Sequence, residues 1–117
     1  MNLTTLILGT SVPIISAEEL EEELKNGDRP FLLDVRQPQE YQLGHIPCAK
    51  LIPLGSLGKR LDEVPKDREI VCICATGHRS FPAVNKLSAV GIEAKSLKNG
   101  MIAWQVGKRP VKRGMSE

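Results

Sequence analysis

Aromatic side chains are scarce: one Trp, one Tyr and two Phe among 117 residues. That scarcity argues against a platform on which nucleic-acid bases stack, and it leaves the core to Leu, Ile, Val and Ala. An excess of one charge is missing as well. Sixteen Lys and Arg stand against fourteen Asp and Glu, a formal charge of +2, far short of the concentrated basic face that binds a phosphate backbone. Nucleic acid is therefore not an expected partner. No apolar run approaches the ~20 residues that cross a bilayer, so no membrane association is expected either. The apolar stretch from Leu3 to Leu8 is interrupted by Thr4 and Thr5 and has no Lys or Arg before it, which makes it a poor secretory signal. Cysteines number only three. An odd count without framework spacing fits free thiols in a reducing compartment, and the cytoplasm is the expected location.

What is present points to one α/β domain. A chain of this length buries roughly two thirds of the surface its unfolded form exposes, enough for a core without disulfides or metal. Ser16, with Glu19 three residues on and Leu20 and Leu24 behind it, forms a capping box that opens a short acidic helix ending near Asn26-Gly27. Phe31 to Val35 is a compact apolar run between Pro30 and Pro38. It suits a buried parallel strand with its charged residues at the C-terminal end. Prolines and glycines punctuate residues 37–68 and predict loops, short helical turns and a short strand around Lys50 to Ile52.

Ile70 to Cys74 is a second β-branched run, followed at once by Ala75-Thr76-Gly77-His78-Arg79-Ser80. A helix comes next, with Ala83, Val84, Leu87 and Val90 on one face, Pro82 in its first turn and Gly91 at its end. Ile92 to Leu97 is a further strand, Asn99-Gly100 a turn, and Met101 to Val106 a terminal helix anchored by Trp104. The basic tail from Gly107 is expected to be solvated and mobile. Strands alternating with helices predict an open, mostly parallel sheet flanked by helices on both faces.

Cys74 falls at the carboxyl end of a strand just before a helix, where open α/β sheets place their ligands. The amides of residues 75–80 have no helical partners, so a loop curled around the sulfur presents several donors and the positive end of the helix dipole. Gly77 permits the backbone such a cradle needs, and Arg79, with His78, adds cationic character that favours a thiolate. A cysteine at a strand end also suits plain packing. The company of Gly77, Arg79 and Ser80 is what favours a nucleophile. That reading requires a thiol reachable from solvent and amides that face it.

Residues 74–80 resemble the C-x-x-G-x-R-S active loop of single-domain rhodaneses. Leu33-Asp34-Val35-Arg36, Glu40-Tyr41 and Gly44-His45-Ile46-Pro47 resemble their upstream D-V-R, E-Y and G-H-I-P signature, in the right order. The likeness extends from the Ile15-to-Leu20 opening to Asn99-Gly100-Met101 and Trp104. It implies an N-terminal extension or edge segment at 1–13, a rhodanese-like domain at 14–106 and a basic tail at 107–117. It further implies a thiosulfate-type sulfurtransferase. Cys74 would take a sulfane sulfur from a small donor such as thiosulfate and pass the persulfide sulfur to cyanide, a thiol or a sulfur-accepting protein. Loop residues Ala75, Thr76, Gly77, His78, Arg79 and Ser80 would hold the anion, with Arg79 as the cationic helper and no cofactor or metal. The alternative from another class is a non-enzymatic sulfur carrier or interaction module of the same fold. Related phosphatases and arsenate reductases use C-x5-R, whereas four residues separate Cys74 from Arg79 here. The shorter ring suits one sulfur atom better than a phosphoryl group.

Other motif residues have plainer readings. Asp34, Arg36 and Glu40 are expected to form a charge-assisted network tying the strand end to its following loop. His45 reads as a hydrogen-bonded turn residue, and His78 either tunes the loop's field or faces solvent. Cys48 stands where the family usually has glycine and is assigned to packing. Cys72 and Cys74 share one strand face roughly 6.6 Å apart, near the upper limit for a disulfide, so no bond between them is expected. A zinc site using Cys48, Cys72, Cys74 and a histidine is weakly supported, since C-x-C lacks a second metal-spaced pair.

Overall fold

In a computed structural model, which describes residues 12–117, Ser16 opens the first helix as its sequence demands. Its hydroxyl accepts from the Glu19 amide and its own amide donates to the Glu19 carboxylate, both at 3.0 Å. The reciprocal cap satisfies two N–H groups that a helix start leaves unpaired. The expectations for Leu3 to Leu8 lie outside the described residues.

The elements follow in the order β1 (Ile14–Ile15), α1 (Ala17–Lys25), β2 (Phe31–Asp34), α2 (Pro38–Leu43), β3 (Lys50–Leu51) and α3 (Leu54–Leu57). A 3-10 turn (Leu61–Glu63) precedes β4 (Ile70–Ile73), α4 (Ser80–Ser88), β5 (Ala94–Leu97) and α5 (Gly100–Val106). The five strands pair in the order β1-β5-β4-β2-β3, all parallel. The protein has an α/β fold, a parallel sheet with helices on both sides, of the kind the rhodanese resemblance implies.

Alternation along the strands divides the core into two layers. Leu33, Ile70, Cys72 and Cys74 face Leu57 of α3 and Ala83, Val84 and Leu87 of α4. Leu32, Val71, Ile73 and Leu97 face Leu20 of α1 and Met101 and Trp104 of α5. Both faces are covered, which is why β2 and β4 read as continuous apolar runs. The predicted α4 stripe shortens by one residue. The helix ends at Ser88, and Val90 is exposed because it lies beyond the last turn.

The strand order reverses direction between β2 and β4, since β3 lies on one side of β2 and β4 on the other. Ligand crevices open at such a reversal, beyond the carboxyl ends of the strands. The chain leaving β2 toward α2 and the chain leaving β4 toward α4 diverge there, and they carry Glu40 and Cys74 respectively.

The expectation of a mobile tail is corrected. Main-chain bonds of 2.9 and 2.8 Å pair His45 with Lys112 in both directions. Trp104 Nε1 donates to the Pro110 carbonyl at 2.7 Å. The Arg109 guanidinium lies over the Trp104 ring, 5.8 Å from its centroid, and pairs with Glu18 and Glu21 of α1. Most tail side chains are exposed, yet the backbone is fastened by His45 far upstream and by the nearby Trp104 indole. The basic composition showed the solvation and could not show the straps.

Two outcomes follow from the packing. Truncation after Gly107 leaves the Trp104 indole N–H unpaired, uncovers the ring and removes the main-chain partners of His45. It should lower stability by about 2 kcal/mol or more, read as a shift in the urea midpoint. An unshifted midpoint means that the tail does not hold these contacts in solution. Gly100→Ala should cost about 2–3 kcal/mol. A Cβ there meets the Cys74 carbonyl oxygen at 2.2 Å, and Gly100 has φ +51°.

Candidate active site

Cys74 is the first residue past β4, and residues 75–79 form the turn into α4. Two contacts from α5 hold this turn. The Met101 amide donates to the Cys74 carbonyl at 2.8 Å and the Ile102 amide to the Ala75 carbonyl at 3.1 Å. These are amides that the first turn of a helix leaves without internal partners. Asn99, with φ +58°, and Gly100 deliver the helix start to that point. Asparagine tolerates the left-handed region that the expected turn requires.

Gly77, with φ +99°, turns its amide toward the sulfur and donates to Cys74 Sγ at 3.0 Å. It is the one amide of the loop bonded to the sulfur among the described residues, where the sequence predicts several. Ser80 supplies the second polar contact, its Oγ lying 3.6 Å from Sγ and 3.0 Å from the Gly77 carbonyl oxygen. Ser80 Oγ also shares a hydrogen bond with Ser96 Oγ of β5. Cys74, Ser80 and Ser96 are all fully buried, at 0% exposure. The expectation of a thiol open to solvent is therefore corrected: the loop lies closed over it. Thr76 and His78 stand on the outside of the loop, and Thr76 Oγ1 lies 2.9 Å from His78 Nδ1.

Arg79 is not free to serve the sulfur as expected. Its two terminal nitrogens make a fork onto the Glu40 carboxylate at 2.6 and 2.7 Å. Hydrogen bonding from Arg79 holds the Glu40 carboxyl down at about 2, against the opposing effect of partial burial. The same pairing raises Arg79. Glu40 also takes the Gln37 amide at 3.0 Å, so it caps α2 while tying that helix to the loop. The predicted Asp34–Arg36–Glu40 network thus divides. Asp34 and Arg36 form a buried pair, with Arg36 Nε and Nη2 at 2.9 and 2.8 Å from the carboxylate, and Arg36 Nη2 reaches the Gly44 carbonyl at 2.8 Å. Glu40 goes to Arg79 instead.

His45 lies in a different neighbourhood. It stacks on Tyr41, ring centroids 3.6 Å apart, and its two nitrogens lie 3.0 Å from the Tyr41 carbonyl and 2.9 Å from the Ser116 carbonyl. The packing assignment of Cys48 is corrected. It is exposed and has φ +74°, a left-handed conformation that suits the glycine usual at this position. Burial, with Cys74 adding to it, pushes the Cys72 thiol up to about 12, so Cys72 stays protonated and inert at neutral pH. No cysteine is in a disulfide. Sequence reasoning missed Ser96 and the two α5 amides. The one signal for Ser96 was a small hydroxyl residue inside a short, otherwise buried strand end.

This geometry can be set beside known proteins. The family model described as Rhodanese-like domain matches residues 16–106. A sulfurtransferase of Allochromatium vinosum is 36% identical over 91 residues, covering 77% of this chain and 85% of that protein. The crystal structure of a rhodanese-related protein from Thermoplasma volcanium superposes with a TM-score of 0.80 at 31% identity, over 89% of this chain and 99% of that one. The thiosulfate sulfurtransferase of Pseudomonas aeruginosa gives a TM-score of 0.82 at 28% identity, over 91% of this chain but 21% of that longer one. A cysteine loop built this way, on this sheet, in a chain matched from its first cap to its last helix, places the protein in the rhodanese-like domain family.

Proposed function

We propose that the protein is a sulfurtransferase that carries a sulfane sulfur as a persulfide on Cys74, loading it from thiosulfate or a donor of the same chemistry. The observation that carries this reading is the Gly77 amide aimed at Cys74 Sγ at 3.0 Å, at the strand-end reversal of a parallel sheet. A main-chain N–H pre-aimed at one sulfur favours its anion more than its thiol, without a separate base.

The chemistry balances on this one sulfur. The Cys74 thiolate attacks the outer sulfur of thiosulfate, the S–S bond of the donor breaks, and sulfite leaves with the bonding pair. The resulting persulfide keeps the negative charge on its outer sulfur. Cyanide attacks that sulfur to give thiocyanate, or a thiolate attacks it to give a new persulfide, and the Cys74 thiolate returns. No net oxidation occurs in either half. Sγ is covered by the loop, so this reading requires residues 75–79 to open for the donor. Arg79 shapes the loop through Glu40 rather than by touching the reacting sulfur. The expected partners remain a small sulfur donor and a thiol or sulfur-accepting protein.

Three variants test this. After incubation with thiosulfate the intact wild-type protein should gain one sulfur atom that a reductant removes. Cys74→Ser should gain none, and Cys48→Ser should load like wild type. Thiosulfate turnover with cyanide or a small thiol should follow loading. Loading without turnover would instead make the protein a carrier, and no loading in folded protein sinks the persulfide reading. Glu40→Gln tests the loop tether through pH. The folded carboxyl lies at about 2 against an ordinary 4.5, so the pair's contribution is complete above pH 4.5 and is largely lost as pH falls to about 2. Both side chains are about one third exposed, so screening limits the contribution to under about 1 kcal/mol. The stability gap between wild type and Glu40→Gln should be present at pH 7 and largely lost at pH 2, where half of the folded-state carboxyl is protonated. A gap as large at pH 2 as at pH 7 means that the ion pair is not its source.

A further inference from the structure

Ser96 belongs to no motif, yet its hydroxyl ends on the residue that touches the nucleophile. It sits on β5 in register with Cys72 of β4. Its Oγ bonds to Ser80 Oγ, which stands 3.6 Å from Cys74 Sγ and 3.0 Å from the Gly77 carbonyl. All three side chains are fully buried, so the hydrogens can be counted without solvent.

Ser96 Oγ has Ser80 Oγ as its one hydrogen-bond partner among the described residues. If Ser80 were the donor between them, the Ser96 hydrogen would be buried without an acceptor, which costs about 1–3 kcal/mol. Ser96 therefore donates to Ser80. The Ser80 hydrogen then has two acceptors to choose from, the Gly77 carbonyl oxygen and Cys74 Sγ. When Cys74 is a thiol, its S–H points at a lone pair of Ser80 Oγ, and Ser80 donates to the Gly77 carbonyl. When Cys74 is a thiolate, the Ser80 hydrogen swings to the sulfur beside the Gly77 amide, and no other hydrogen in the group needs to move.

Throughout both states Ser96 keeps donating to Ser80 Oγ. That donation makes Ser80 a poorer acceptor for the thiol hydrogen and a better donor to the thiolate. Both effects favour the anion. We infer that Ser96 is a positioning residue for the Cys74 nucleophile, acting through the Ser80 hydroxyl. This deepens the proposed sulfur-transfer reading and rests on Cys74 being its nucleophile.

The test is the rate of Cys74 alkylation by iodoacetamide against pH, followed by mass in a Cys48→Ser background so that the exposed thiol does not interfere. Ser96→Ala should move the pH profile toward higher pH and slow alkylation at pH 7 about three- to tenfold, the range for one net hydrogen bond. Ser96→Thr, which keeps a hydroxyl, should restore most of the wild-type profile. A change in loop opening alone scales the rate equally at every pH and leaves the midpoint in place, so a merely structural effect is separated from the inferred one. Ser96→Ala added to Ser80→Ala should change nothing further, because the first residue acts through the second. An unmoved midpoint in Ser96→Ala, or additive shifts in the double variant, overturns the inference. Wild-type protein that takes up no sulfur from thiosulfate while Ser96→Ala still moves the profile overturns the sulfur-transfer reading and leaves the hydroxyl coupling standing.

Discussion

The contact between the start of α5 and the end of β4 sets the rest of the site. A helix leaves its first amides unpaired, and here Met101 and Ile102 close on the carbonyls of Cys74 and Ala75. That pairing fixes the first two peptide units of the loop and so decides which way Gly77 can turn. It demands close approach: a Cβ on Gly100 meets the Cys74 carbonyl oxygen at 2.2 Å and the Ala75 carbonyl carbon at 2.8 Å. A hydrogen at that position is therefore a condition of the loop's geometry. The sulfur's environment is written partly in β4 and partly in the turn before α5, two segments that touch only in the folded chain.

A second constraint is the way charge is distributed around the sulfur. Both arginines near the strand ends are occupied, Arg36 by Asp34 and Arg79 by Glu40. A guanidinium with a fork onto a carboxylate has little field left for a third group. The groups that meet the Cys74 sulfur are instead neutral, the Gly77 amide and the Ser80 hydroxyl. A dipole shielded from water loses little to reorganisation when charge develops beside it, which suits the proposed persulfide chemistry. Arg79 contributes by holding the loop's far end to α2.

Local pattern made much of this legible. The Ser16 capping box, the apolar runs of β2 and β4, and the Asn99-Gly100 turn are short-range signals, and each element formed where its signal stood. The Cys74 loop was readable for the same reason, since strand, glycine and helix start are contiguous. The errors have a common physical form. Glu40 with Arg79, Ser80 with Ser96, and His45 with Lys112 and Ser116 are pairs chosen by the fold across long stretches of chain. Composition called the tail mobile because its residues are charged, while its backbone was claimed by His45 and by the Trp104 indole N–H. Periodicity states which face a residue takes and is silent about which partner meets it there. Closure of the loop over Cys74 belongs to the same class, because it depends on α5 arriving from elsewhere.

The two buried cysteines show how much depends on one further step along the chain. Cys72 and Cys74 point to the same face and belong to the same core cluster. Cys72 lies within β4, where the neighbouring amides are bonded across the sheet to β2 and β5. Nothing polar is left for its sulfur, and burial pushes the thiol up to about 12. Cys74 lies just past the last paired residue. There the sheet's hydrogen bonding stops, the following amides become available, and Gly77 can turn one of them back onto the sulfur. The difference between a packing thiol and the proposed nucleophile is thus the end of the strand itself. A shift of the chain by two residues through β4 would leave the same face buried and carry Cys74 into the packing position that Cys72 holds.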